Sequence, residues 1–156
     1  RFPFDMGAAD SIAVATAADW PEIVALLAAH RLPTSDLDAS RAGEFLVARD
    51  AQGVAGCIGA ERRGSCVLLR SLAVREDCRR RGIGQRLTAE MEARCQAAGA
   101  TAAYILTETA AKFAERQGYG VVERLAVPAE IRSTKQFSGL CPCCAICLGK
   151  RLLNAV

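Results

Sequence analysis

Residues 68–87 read Leu-Leu-Arg-Ser-Leu-Ala-Val-Arg-Glu-Asp-Cys-Arg-Arg-Arg-Gly-Ile-Gly-Gln-Arg-Leu, and this stretch restricts the fold most. The apolar run up to Val74 predicts a strand. A basic turn follows, and Ile83, Leu87, Met91 and Cys95 then recur at helical spacing. Gly82 and Gly84 sit where that helix begins. Glycine there lets a ligand approach the backbone closely. The first-turn N–H groups of a helix have no partner within the helix, and its dipole favours an anion. The arginines add screened attraction and charge-assisted hydrogen bonds. The pattern therefore suits a pyrophosphate. It lacks the first glycine of a dinucleotide fingerprint and the Gly-Lys-Ser/Thr of a phosphate-binding loop. The competing reading, a solvated basic turn before a glycine-tolerant helix start, loses ground because a strand precedes the turn and a long helix follows it.

The remaining elements fall around this segment. Ser11–Thr16 predicts a short strand. A helix opens at Asp19-Trp20-Pro21-Glu22, with Asp19 able to cap it and Ile23, Leu26 and Leu27 as its apolar stripe. His30–Ser40 is polar, a loop or short helix. Glu44–Arg49, Val54–Arg62 and Ser65–Arg75 predict three strands, turning at Asp50–Gly53 and at Arg63-Gly64. Gly99 ends the long helix. Thr101–Leu106 predicts a strand, Ala110–Gln117 a short helix stopped by Gly118, and Gly120–Val127 another strand. Pro128–Gln136 has room for a helical turn, and Cys144–Leu148 for a last strand. A meander feeding a strand–helix–strand unit implies an α/β (α+β) fold with a mixed sheet and helices on both faces.

At 156 residues one domain is expected. Residues 1–5, ahead of Met6, read as a cloning remnant, leaving 6–156 as the domain. Hydrophobic residues make up 51% and charged residues 24%, which excludes a disordered chain. No apolar run is long enough to span a membrane, and no basic-then-apolar leader is visible, so a cytoplasmic protein with reduced thiols is expected. A net charge of +3 is too balanced for a nucleic-acid protein. Arg70, Arg75, Arg79, Arg80 and Arg81 against Glu76 and Asp77 form a local basic patch suited to a small polyanion. The eight cysteines are not spaced like a secreted scaffold.

Three motifs, in order, resemble the GNAT superfamily of N-acetyltransferases. Arg79-Arg80-Arg81-Gly82-Ile83-Gly84 is similar to that family's Gln/Arg-x-x-Gly-x-Gly/Ala signature. Leu72-Ala73-Val74 resembles the end of its fourth strand, and Phe113-Ala114-Glu115-Arg116-Gln117-Gly118-Tyr119 its Phe-Tyr-Glu-x-x-Gly-Phe. The resemblance covers residues 11–149. It implies a mostly antiparallel sheet of about 6–7 strands with splayed fourth and fifth strands. It also implies acetyl-CoA as co-substrate, with pantetheine paired to Leu72, Ala73 and Val74. The pyrophosphate would lie on Arg79, Arg80, Arg81, Gly82, Ile83, Gly84 and Gln85, with Phe113 beside the cofactor. One departure stands out: Ala114 occupies the position of the family's tyrosine, often the proton donor to the thiolate, while Tyr119 takes a packing position. Leu32–Leu37, Leu69–Val74, Tyr104–Thr109 and Leu140-Cys141-Pro142 further resemble the arsenic-resistance (ArsN-type) branch, its second subgroup most of all. The Thr107 segment is similar to glutamate N-acetyltransferases. Both imply a small amino acid as acceptor.

The acceptor side is read from individual residues. Arg70 could grip a carboxylate or arsinate with paired hydrogen bonds, or pair with a carboxylate of the protein. Ser71, Thr34 and Asp36 would line the acceptor, or simply cap their loops. Thr107, Glu108 and Thr109 follow the fifth strand, where Glu108 is the best-placed carboxylate to take a proton from an ammonium, if it is not merely solvated. The backbone of Leu72 and Ala73 would steady the oxyanion. His30, the only histidine, ends the first helix, where a cation complements the dipole; the alternative is a catalytic role. Cys141, Cys143, Cys144 and Cys147 invite a zinc or arsenite reading, but neighbouring strand residues diverge and a second ligand pair is missing, so no metal is expected. Cys141 is retained as an acceptor-pocket candidate. The expected partner is a small-molecule amine, with no nucleic acid or membrane, bound by a monomer or homodimer. The alternatives are a glutamate-type α-N-acetyltransferase and a non-catalytic thiol sensor.

Overall fold

The computed structural model describes residues 11–140 and 145–152. Seven strands form one sheet: β1 (Ser11–Val14), β2 (Phe45–Asp50), β3 (Gly53–Arg63), β4 (Cys66–Val74), β5 (Ala102–Thr107), β6 (Gly120–Val121) and β7 (Ile146–Arg151). Their order is β1-β2-β3-β4-β5-β7-β6. β1–β2, β2–β3, β5–β7 and β6–β7 pair antiparallel, whereas β4–β5 pairs parallel. The helices are α1 (Trp20–Ala29), α2 (Ile83–Ala97), α3 (Ala111–Arg116) and α4 (Ala129–Arg132). The mixed α/β fold and the strand count agree with the sequence reading. Two compact units divide the chain: one holds the chain through Gly59 with Ser71–Met91, the other Ala60–Arg70 and the chain from Glu92 onward.

The first unit is built around β3. Alternate residues of a strand face opposite ways. Cys57 belongs to the cluster that buries Trp20, Ile23 and Leu27 of α1 against Phe45 and Val47, and the Trp20 and Phe45 rings meet edge-on with centroids 5.5 Å apart. Gly56 faces the other side. A Cβ there would lie 3.1 Å from Ile83, 3.2 Å from Leu87 and 3.2 Å from the Ala73 carbonyl. Its missing side chain thus lets α2 and the end of β4 pack tightly on β3. Asp19 does not cap α1 through its side chain. Its carboxylate accepts instead from the Thr16 backbone N–H (2.8 Å) and from Arg49. Burial opposes this charge, but those bonds outweigh it and hold the carboxyl below its ordinary range.

In the second unit, Leu68, Leu106, Ile131, Phe137 and Cys147 share a core cluster. Gly149 gives way to the Tyr104 ring, which lies 2.9 Å from where its Cβ would be. Tyr119 is buried, as its packing position implied, and its hydroxyl donates to Glu92 (2.8 Å). Lys150 Nζ donates to the other Glu92 oxygen (2.9 Å) and to the Gln117 carbonyl (2.8 Å). The strand expected over 120–127 is confined to Gly120–Val121. After Val122 donates to the Cys147 carbonyl, the chain turns through a 3-10 segment at Arg124–Ala126. The apolar pattern explains the break: Val127 enters the core while Leu125 is left 84% exposed. The last strand starts later than expected and runs further, Ile146–Arg151. The expected remnant at 1–5 and the residues Cys141, Cys143 and Cys144 lie outside the described residues.

Candidate functional site

The site forms where β4 leaves the sheet and the chain enters α2. The parallel ladder between β4 and β5 runs from Cys66–Ala102 to Leu69–Ile105, and β4 continues past it to Val74. Ser71 lies within the strand with a φ of 59°, and its carbonyl accepts from the buried Cys57 thiol (3.5 Å). A positive φ at a residue with a side chain marks a bulge-like change of direction. Nothing in the sequence signals it, because serine carries no conformational signature of the kind glycine does. Burial pushes the Cys57 thiol up to about 12, so it stays protonated. Leu72 and Val74 are half-buried and Ala73 is buried.

Beyond Val74, Arg75 fixes the exit of the strand. Its backbone N–H donates to the Ala55 carbonyl (2.7 Å), and its guanidinium donates to Asp77 (2.8 Å), Asp50 (2.7 Å) and the Val54 carbonyl (3.2 Å). The Arg75 hydrogen bond holds the Asp50 carboxyl below its ordinary range. A 3-10 turn over Glu76–Cys78 follows, with the Cys78 side chain buried beneath it. Arg79, Arg80, Arg81 and Gly82 are exposed. Arg80 has a φ of 69° and Gly82 one of 75°. A Cβ on Gly82 would meet nothing within 4 Å, so glycine is favoured there by backbone conformation and not by crowding from the protein. Ile83 is buried and anchors the helix start. The Arg86 N–H closes the first helical turn on the Gly82 carbonyl (3.0 Å). The N–H groups of Ile83, Gly84 and Gln85 precede that bond, in the part of a helix that lacks internal acceptors. Backbone donors, helix dipole and exposed guanidinium groups together fit an anion of the pyrophosphate kind.

The basic patch itself is smaller than the sequence suggests. Arg75 is held by its carboxylates. Arg79 Nη2 donates to Nε2 of His30 (2.8 Å), whose Nδ1 lies 2.9 Å from the Leu26 carbonyl. Arg70 is buried, with Nη1 2.6 Å from Glu61 and both side chains 3% exposed or less. Of the two readings of Arg70, the geometry matches pairing with a carboxylate of the protein: its charge meets Glu61, and both are strand residues of one hairpin. Of the other acceptor candidates, Thr34 is half-buried, and its carbonyl accepts from the Leu37 N–H (2.9 Å) in a local turn. Thr107 Oγ1 accepts from the N–H groups of Thr109 (3.2 Å) and Ala110 (2.9 Å) and so caps α3. Glu108 and Thr109 are exposed, Phe113 is half-buried, and Ala114 is buried. Cys141 lies outside the described residues. Among the described residues, no three His, Cys, Asp or Glu side chains group as a metal site, and no helix is long and apolar enough to cross a membrane.

The profile of the acetyltransferase (GNAT) domain matches residues 41–121, just over half of the chain. The chain belongs to the GNAT acetyltransferase family. Its fold is that of N-acetylglutamate synthase from Neisseria gonorrhoeae, solved with coenzyme A and N-acetyl-glutamate (TM-score 0.81, 20% identity, 92% of this chain and 35% of that one). It is also that of Rv2747 from Mycobacterium tuberculosis, solved with CoA and NLQ (TM-score 0.78, 20% identity, 92% and 99%). A GNAT-family acetyltransferase from Staphylococcus aureus Mu50 superposes equally well (TM-score 0.78, 16% identity, 93% and 100%). The chain thus spans about a third of the N-acetylglutamate synthase it matches. No curated protein sequence matches the chain significantly.

Proposed function

We propose that this GNAT domain transfers the acetyl group of acetyl-CoA to the primary amine of a small molecule, an amino acid or an arsenic-containing amino-acid analogue. The observation that carries the first half is the turn at Arg79–Gly84. Its left-handed Gly82, its exposed arginines and the start of α2 make an anion cradle directly after the β4 segment that family members align with pantetheine. In this reading the pyrophosphate lies on the backbone from Arg80 to Gln85. The ammonium of the acceptor first loses a proton to Glu108, directly or through water. The free amine then attacks the thioester carbon, and a backbone N–H between Leu72 and Val74 stabilises the oxyanion. The C–S bond breaks as the C–N bond forms, and the CoA thiolate leaves. A thiolate is a good leaving group, so the buried Ala114 in place of a proton-donating tyrosine is compatible with turnover.

An amino-acid acceptor is supported by the resemblance of short segments, Leu32–Leu37 and Tyr104–Thr109 among them, to arsenic-resistance and glutamate acetyltransferases, and by a fold shared with a protein solved with N-acetyl-glutamate. The test is release of free CoA thiol from acetyl-CoA over a panel of amino acids and arsenical amino acids. Turnover restricted to the arsenical amino acid assigns the arsenic branch, and turnover with glutamate assigns the metabolic alternative. Acetyl-CoA binding without transfer to any amine, with stoichiometric zinc or arsenite bound, would replace both by the thiol sensor.

A further inference from the structure

We propose that His30 is the positioning residue for the cofactor turn: it orients Arg79 through a neutral acceptor and so leaves the guanidinium charge available to an anion. The inference rests on the cradle assigned above. His30 is the C-cap of α1 and lies far from Arg79 in sequence. Its two ring nitrogens have different partners. Nδ1 faces the Leu26 carbonyl at 2.9 Å, a group that only accepts, so Nδ1 carries the hydrogen. Nε2 faces Arg79 Nη2 at 2.8 Å, and a guanidinium only donates. Nε2 must therefore present its lone pair, which makes the ring neutral with the proton on Nδ1.

The choice of partner matters. Arg75, four residues earlier, is held by Asp50 and Asp77, and those carboxylates largely cancel its charge towards any ligand. An imidazole acceptor removes the rotational freedom of Arg79 without that cancellation. Arginine carries about 2 kcal/mol of rotamer entropy, and ordering it beforehand lowers the cost of binding. One of the five guanidinium N–H donors faces His30, and the others remain to reach a phosphate. His30 in turn is anchored by α1, whose buried face sits in the core with Ile23 and Leu27. His30 does not touch the reacting atoms in this scheme. It acts through Arg79.

The test is acetyl-CoA affinity, measured by calorimetry on the purified protein, so that no acceptor needs to be known. The variants are His30→Ala, His30→Asn, His30→Gln, Arg79→Ala and the double variant His30→Ala/Arg79→Ala, each checked by its melting temperature. Asparagine keeps a donor where Nδ1 is, and glutamine an acceptor near Nε2. If His30 positions Arg79, His30→Ala and His30→Asn weaken acetyl-CoA binding roughly 2- to 10-fold. His30→Gln then recovers most of the loss, and His30→Ala adds nothing in the Arg79→Ala background. Rescue by asparagine and not by glutamine would mean a helix cap only, and an undiminished effect in the Arg79→Ala background would mean an effect independent of Arg79. Either overturns the proposal while the cradle stands. Full acetyl-CoA affinity in Arg79→Ala would instead remove this arginine from the cradle, and the proposal with it.

Discussion

Replacing Gly82 by valine separates what the backbone of the turn does for folding from what it does for the ligand. Gly82 has a φ of 75°, and a Cβ placed on it meets no atom within 4 Å. The folding penalty is therefore conformational. An L-residue in the left-handed region costs about 1–2 kcal/mol. For a domain of this size that lowers Tm by roughly 2–8 °C. The turn is exposed, so the strain can relax locally and the fold survives. Binding is affected differently. The open space over Gly82 is where a pyrophosphate would meet the first N–H groups of α2, and a branched side chain fills it. Relaxation of the turn would also re-aim those N–H groups. Acetyl-CoA affinity should fall at least tenfold, about 1.4 kcal/mol.

Gly82→Asn sharpens the experiment. Asparagine visits the left-handed region at little cost, so its Tm should stay near that of the parent protein. If the loss of affinity comes from the side chain over the cradle, asparagine weakens acetyl-CoA too. If it comes from backbone strain alone, asparagine restores binding. Calorimetric titration of both variants, alongside melting curves, reads the two effects separately. Affinity within twofold of the parent in a folded Gly82→Val protein would refute the assignment of the cradle.

Three other outcomes follow from the charges and thiols. Arg70→Ala leaves Glu61 as an uncompensated buried charge and should cost about 3–5 kcal/mol in denaturant unfolding, while the joint change Arg70→Met/Glu61→Leu recovers most of it; a stable Arg70→Ala protein with a raised acceptor KM would reinstate Arg70 as a substrate residue. Asp50 is held below its ordinary value by its hydrogen bond from Arg75, so its contribution is complete above the unfolded carboxylate value of about 3.9 and is lost as pH falls through the folded value. Asp50→Asn should therefore be less stable at neutral pH and converge with the parent in acid, and parallel stability–pH curves would contradict this. Cys147 is 3% exposed in the core of the second unit, so Cys147→Ala should lower stability modestly through lost packing, and chelator should leave both Tm and acetyl transfer unchanged; chelator-induced unfolding with about one metal per chain would favour a thiol site.

Elements marked by the backbone were legible in the sequence. Gly53, Gly64, Gly99 and Gly118 all have positive φ, and each stands at a turn or helix end that its type announced. The helix at Ile83 followed from the spacing of apolar residues, which the burial of Ile83, Leu87 and Met91 bears out. Three features were not legible. Ser71 and Arg80 take positive φ without being glycine. Residues 120–127 looked like a strand because valine and leucine favour one, but the exposure of Leu125 shows no partner surface there. Gly56 and Gly59 lie inside a strand, and each makes room for a side chain from elsewhere: Ile83 and Leu87 in one case, the Phe45 ring in the other.

The arginines show why a cradle can be proposed from sequence more readily than an acceptor side. A pyrophosphate cradle is made mostly of backbone: a left-handed glycine, a helix start and the N–H groups between them. Those features are local in sequence. The fate of a guanidinium depends on which acceptor the fold brings to it, and that partner is distant. Arg70 meets Glu61 across the turn at Gly64, Arg75 meets Asp50, and Arg79 meets His30. A run of arginines in sequence thus resolves into a buried pair, a structural clamp and an exposed turn. A buried arginine–carboxylate pair seldom adds stability over a well-packed apolar pair, since desolvation offsets its attraction. Arg70 and Glu61 lie on the two strands of the β3–β4 hairpin, so a role in holding that hairpin is a reading to be tested. That role makes a specific demand on the joint variant Arg70→Met/Glu61→Leu. Even with stability recovered, it should bind acetyl-CoA less tightly if the pair holds Leu72–Val74 in place, and as tightly as the parent if the pair is dispensable to the site.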